Sequence, residues 1–227
     1  MTDFLTLVND TARESGTVST TQALATVVGA TGRQEKIVSH VREAWRAIQT
    51  SRTDWDWRRA SFIGDLVVGQ TEYAASEFSI TDFESWEKPS KEYNPFSVYD
   101  NSIGRADESY LTFVDHRYWR QNFDFGAPDN NRPNVYAFGS NRKLCVGSPP
   151  DLAYKLRGSY IMSPQVLTAD ADEPICPDGH HEIIMWRALM LLSGHDEARE
   201  AYAHAQTQYS SCLRNLVQLN SQLIELA

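Results

Sequence analysis

His180-His181-Glu182 is the string that comes nearest to a metal site. Two histidines on a helix share one ion when they stand one turn apart, as in HExxH, whereas adjacent residues point about 100° apart. The string therefore reads as a polar helix start, with Glu182 favoured by the helix dipole. Asp170, Asp172 and Glu173 form an acidic run. A calcium loop of the EF-hand type needs a longer register of oxygen ligands and a glycine at its turn, so this run reads as a solvated loop. Gly64-Asp65 and Gly29-Ala30-Thr31-Gly32-Arg33 share only glycine with phosphate loops. No GxxxxGK[ST], no GxGxxG after a strand and no GxSxG elbow occurs. Cys145, Cys176 and Cys212 are odd in number, far apart and without CxxC spacing. That argues against a disulfide framework or a zinc site and for a reducing cytosol. Cys145 lies in a strand pattern and Cys212 on a helical apolar stripe, so both read as core thiols. The expectation is no catalytic residue, no metal ligand and no cofactor.

Charge and aromatic content narrow the classes further. The formal charge is −9, and the longest basic string is Trp57-Arg58-Arg59. A groove that holds nucleic acid tightly needs more Lys and Arg than that. An acidic surface suits solubility, or a wall past which DNA slides without sticking. Aromatics on a β-barrel can stack bases. Here Trp55, Trp57, Trp86, Tyr93, Tyr99, Tyr110, Tyr118 and Trp119 lack basic companions, and core or interface packing explains them better. Met1-Thr2-Asp3-Phe4 lacks a basic region followed by an apolar run, so no signal peptide is expected. No stretch approaches the roughly 20 apolar residues that span a bilayer.

The elements that would carry these residues fall into three blocks. Phe4, Leu5, Val8 and Ala12 share a helical face, and Gly16 is placed to end that helix. Residues 17–30 read as a loop. Thr31 with Gln34 predicts a capping box, followed by a helix of about five turns striped by Ile37, Val41, Ala44, Trp45 and Ile48. From Arg52 to about Met162 the chain is β-rich. Val68-Gly69-Gln70-Thr71 is a tight reversal. Asp54 to Trp57 leads into Ser61 to Val68 at the start of this block, and strands are expected at 110–114, 134–138, 143–146 and 153–156, with a short helix at 115–120 and an exposed, mobile loop at 126–134. Ile183 to Leu192 is apolar almost all round, which predicts a buried helix broken by Gly194. The fold class expected is α+β. Residues 1–58 and 163–227 form a helical bundle, and residues 59–162 form an inserted antiparallel domain of sandwich or barrel type.

The last helix, from about Asp196 to Leu226, carries the clearest pattern. Ala198, Tyr202, Ala205, Tyr209, Cys212, Leu216, Leu219, Leu223 and Leu226 follow alternating steps of four and three. That is a heptad stripe. Its first half, rich in small residues, suits the chain's own bundle. In the second half Leu213, Val217 and Ile224 widen the apolar face, and such a patch left in water is an aggregation hazard. Leu213, Leu216, Val217, Leu219, Leu223, Ile224 and Leu226 are therefore the expected interface with another subunit.

Short strings in order along the chain point to a family. Phe4-Leu5, Glu14-Ser15-Gly16, Val41 to Gln49 and Trp55-Asp56-Trp57 are followed by Arg132 to Tyr136 and Leu144 to Asp151. Tyr154 to Tyr160, Pro174-Ile175-Cys176-Pro177 and the helix His181 to Leu192 complete the series. In this order they resemble the head-to-tail adaptor (connector or head-completion) proteins of tailed bacteriophages, over nearly the whole chain. The resemblance implies a non-enzymatic structural virion protein at the head–tail interface, assembled in the host cytoplasm. It implies a homo-oligomeric ring, twelvefold like the portal protein it binds, which extends the DNA channel and gives tail or nozzle proteins a platform. DNA would pass without specific binding, and no membrane is involved.

Two rival readings remain at this stage. A small hydrolase using the β block as substrate domain requires two carboxylates, or Ser and His, in one concave pocket. A nucleic-acid-binding module requires a steep salt dependence of binding. Truncation before Leu213 is expected to lower the oligomeric state, measured by mass; an unchanged state would rule out the expected interface.

Overall fold

The computed structural model describes residues 2–16, 23–126 and 128–225, the last four by their backbone alone. Along the chain come α1 (Phe4–Glu14), α2 (Gly32–Thr50), β1 (Arg59–Asp65), β2 (Glu72–Tyr73), β3 (Phe83–Trp86), β4 (Ser97–Asp100), β5 (Ser109–Tyr110), β6 (Thr112–Phe113) and α3 (His116–Trp119). Then follow β7 (Val135–Phe138), β8 (Leu144–Gly147), β9 (Tyr154–Met162), α4 (Glu182–His195) and α5 (Arg199–Glu225). The fold is α+β, with helices at both ends of the sequence and a sheet domain inserted between them. The chain divides into two compact units, 1–58 with 164–227, and 59–163.

The helical unit starts from a well-made cap. Asp3 accepts the Thr6 N–H at 2.8 Å, and Phe4, Leu7, Val8, Thr11 and Ala12 bury one face of α1. The first free N–H groups of α1 go elsewhere: Phe4 donates to the Asp172 carbonyl and Leu5 to that of Asp170. The acidic run is thus a tether and not merely a solvated loop. The Asp170 carboxylate accepts the Val27 N–H at 2.7 Å, and that of Asp172 accepts the N–H groups of Thr168 and Ala169. Those backbone donors hold Asp172 below the usual carboxylate range.

In α2 the expected stripe is buried, joined by Val38 and Gln49. The expected capping box does not form. Thr31 occupies the cap position without a side-chain bond, and the helix is entered through Gly32 at φ +62°. Residues 23–30 have no regular structure, as expected; 17–22 lie outside the described residues. α4 is buried on several sides and packs on α1, α2 and α5. It does not break at Gly194. The helix runs on to His195 and closes in a Schellman turn, with Glu197 left-handed at φ +56° and the Ala198 N–H donating to the Ser193 carbonyl. One helical glycine costs only about 1 kcal/mol, which surrounding packing readily outweighs.

The inserted unit contains two sheets and no closed barrel among the described residues. One has the order β1-β9-β4-β5 with β3 also on β9; the other is β2-β8-β7-β6. All pairs are antiparallel except β6 with β7. A single aromatic core holds residues of both, among them Phe62, Trp86, Phe96, Tyr136 and Tyr160. The expected strand at 110–114 divides in two. Tyr110 belongs to the first sheet and Thr112 to the second, with Leu111 fully buried between them. Leu111 donates to the Phe96 carbonyl and Thr112 to that of Asn134, so each sheet keeps its ladder. The turn expected at 68–71 forms one residue earlier, closed by a bond from the Gln70 N–H to the Val67 carbonyl, with Gly69 at φ +77°. The short helix at 115–120 is α3, capped by Asp115 and continued by a π-helical turn at Arg120–Asp124. The loop read as mobile has a fixed end. Arg132 Nη1 donates to both oxygens of the Asp107 carboxylate, and its Nη2 donates to the Val98 and Asp107 carbonyls.

Glycine appears in β9 where rings cross the sheet. A Cβ at Gly158 would stand 2.4 Å from the Phe96 ring and 2.7 Å from that of Phe62. Gly158→Val is therefore expected to destabilise the protein by roughly 1–3 kcal/mol or more through overpacking, read by urea unfolding. Gly194→Ala, with open space at its Cβ, is expected to be neutral or stabilising in the same assay.

Candidate interaction surfaces

α5 is 27 residues long, about 40 Å at the helical rise. Its buried line follows the heptad stripe from Ala205 to Leu216 and leaves it at both ends. Ala205, Cys212, Leu216 and Asn220 are buried and Tyr209 is half-buried, while Tyr202 is exposed and Ala198 stands in water. The inward steps at the end are four and four, where a heptad would take three from Leu216 to Leu219. A straight helix drifts about 20° per heptad against a strict seven-residue repeat, so its inner line moves from Leu219 to Asn220.

The residues expected at an interface are therefore placed in several ways. Leu216 is 1% exposed inside the helical core, and Leu213 and Val217 pack against that core. Leu219 is half-buried on the flank. Leu223 and Ile224 lie on the α5 backbone, and Leu226 lies outside the described residues. Asn220, which the apolar pattern passes over, is 3% exposed. Its Nδ2 donates to the Asp54 carbonyl at 3.0 Å and its Oδ1 accepts the Asp56 N–H at 2.9 Å. It pins α5 to the segment after α2, where Trp57 stacks on both Trp45 and Trp55 at 5.4 Å. The only sequence sign of this role was its place four residues after Leu216.

The histidine string is likewise structural. His181 is 4% exposed, with Nε2 3.1 Å from the Cys176 carbonyl, so it is not a solvated helix start. The Cys212 thiol donates to Glu182 at 3.4 Å. All three cysteines are free and buried, and burial pushes Cys145 and Cys176 up to about 12 and Cys212 to about 11. Such thiols are poor nucleophiles. Among the described residues no group of His, Cys, Asp and Glu is arranged to hold a metal, and no helix is long and apolar enough to cross a membrane.

One concave pocket of about 180 Å³ does gather Glu72, Asp124, His116, Ser140 and Lys143. It holds the residue types a hydrolase needs without their geometry. Lys143 donates to Glu72 at 3.0 Å, Arg120 faces Asp124 at 3.8 Å, and the His116 ring stacks on Trp119. Each carboxylate is matched by a cation, and no hydrogen bond joins His116 to Ser140 among the described residues. A nucleophile and its base would need that contact.

Of the aromatics read as packing residues, Trp55, Trp86, Tyr99 and Trp119 are buried. Tyr93, Tyr110 and Tyr118 are exposed instead. Tyr93 and Tyr110 flank a cleft on the five-stranded sheet, beside a charge network centred on Glu108. Ser97 Oγ donates to Glu108 at 2.6 Å, Arg105 at 3.0 Å and Arg157 at 2.9 Å. The Ser97 bond, then those from Arg105 and Arg157, lower its carboxyl from 4.5 to about 2.

Two measurements follow from these contacts. A carboxyl lowered in the fold stabilises fully above its unfolded value and loses that contribution as pH falls toward the folded one. Thermal stability should therefore decline between 4.5 and about 2, and Glu108→Gln should flatten that part of the profile. Asn220→Ala leaves the Asp56 N–H without its acceptor and should cost roughly 1–3 kcal/mol in urea unfolding. An unchanged midpoint would mean that the end of α5 is not held by its own unit.

A family model for the SU10 adaptor protein matches residues 2–224. No curated protein matches the chain. The matched span takes in both units and α5 almost to its end. The chain belongs to the SU10 adaptor protein family, a family of structural phage adaptors, and is a bacteriophage virion component that interacts with other virion proteins.

Proposed function

We propose that the chain is a head-to-tail adaptor that forms a twelvefold ring beneath the portal, extends the DNA channel and presents a platform for tail or nozzle proteins. The family match along 2–224 carries this reading. The net charge of −9 supports it, because an acidic channel wall repels the DNA backbone and lets it slide. A long C-terminal helix with an apolar flank supports it as well.

In this reading the interface is the flank of α5 with Leu213, Val217 and Leu219, continued by Leu223, Ile224 and Leu226. Leu216 joins it only if α5 leaves its bundle, because its side chain is spent in the core. A heterologous contact of this kind, repeated around an axis, closes a ring. The ring sits at the head–tail interface of the virion and is assembled in the host cytoplasm.

The test is to mix the chain with portal protein and measure mass and symmetry by electron microscopy. A twelvefold ring on the portal is expected. Leu219→Glu should abolish the ring while the circular dichroism of the free chain is kept. A chain that stays monomeric and never binds portal would sink the proposal.

A further inference from the structure

The outward face of the five-stranded sheet carries an open cleft of about 360 Å³. Strand register builds its floor: Ile63, Arg157, Ser97 and Tyr110 stand in one row across β1, β9, β4 and β5. Tyr93, Asn94 and Pro95 make a wall, with the Tyr93 hydroxyl 3.1 Å from Ser159 Oγ. Three apolar side chains around it are open to water, Ile63 at 57%, Tyr93 at 47% and Tyr110 at 73%.

The charges on the floor are unevenly used. Glu108 has both carboxylate oxygens filled, Oε1 by Ser97 and Arg157 and Oε2 by Arg105. Arg157 gives only its Nη1 to Glu108 among the described residues. A guanidinium has five N–H donors in a rigid fork, so most of this one is unspent. Arg157 and Glu108 are the charged residues of the lining, and Arg105, outside it, adds a second guanidinium to Glu108, so the cluster around Glu108 carries one net positive charge in a chain of net charge −9.

We propose that this cleft binds an extended peptide segment of another virion protein through one carboxylate side chain flanked by apolar residues. The carboxylate sits on the free edge of the Arg157 guanidinium, where a charge-assisted pair forms. Its neighbours lie on Ile63, Tyr93 and Tyr110, which lose water on contact. The Glu108 anchor holds Arg157 in place before the segment arrives, so little side-chain freedom is lost. A nucleic acid fits less well. Tyrosine faces suit bases, but one net positive charge in an acidic chain does not hold a polyanion.

That the segment comes from a virion protein rests on the adaptor reading; the chemistry of the cleft does not. Saturation-transfer difference NMR on the full-length chain, with acetyl-Val-Glu-Val-amide as probe, reads binding whatever the oligomeric state. The glutamyl peptide should bind, and the glutaminyl analogue roughly tenfold more weakly. Arg157→Gln should abolish binding. Tyr110→Ser, at a side chain in water, should weaken it without touching the fold. Equal binding by both peptides, wild-type binding by both variants, or displacement by hexathymidylate at lower concentration would overturn the proposal. Ring assembly is read by mass, so a failed peptide test leaves the adaptor reading standing.

Discussion

A helix with no polar face sets the terms of this fold. α4 is apolar almost all round, and such a helix is stable in water only when other elements cover it on several sides. Its covers are α1, α2 and α5. Two of them precede α4 by more than a hundred residues and one follows it at once. The chain must therefore close its bundle across everything between Arg59 and Ser163. The inserted sheets solve a different problem, with their own aromatic core and their own hydrogen-bond closure.

Within that frame, polar groups fix what apolar burial leaves loose. The carbonyls of Asp170 and Asp172 receive the first N–H groups of α1. Asn220 receives the backbone around Asp56. In the sheets, Arg132 bonds Ser109 of β5, a strand only two residues long, and Glu108 just before it ties Ser97 of β4 to Arg157 of β9. A two-residue strand brings few ladder bonds, so side-chain clamps carry a larger share of its stability.

The sequence and the structure agree best where periodicity is long. The α1, α2 and α4 faces, the β-rich block and the α+β class were legible from spacing alone. The heptad of α5 was legible and partly misleading, because Leu219 and Asn220 differ by one position and only the path of the helix decides between them. Thr31 and Gln34 fit a capping box by type, yet Gly32 turns the chain differently. Gly194 looked like a stop and sits inside a helix, since glycine permits a break without requiring one. The division of 110–114 between two sheets has no local signal, because it depends on partners at Phe96 and Asn134. The cleft was hidden for the same reason: Ile63, Arg157 and Tyr110 meet only through register.

The pairing of β1 with β9 has a consequence for synthesis. Arg59 meets Ile161, so the first strand of the inserted unit waits for its last before it has a partner. The helical unit waits longer, until α4 and α5 emerge. During translation the apolar faces of α1 and α2 are therefore present without the cover of α4 and α5, and β1 without the cover of β9. Loop closure over such distances slows folding and exposes chains to one another. Unfinished copies of the chain can meet at that stage, and the net charge of −9 keeps them apart through like-charge repulsion.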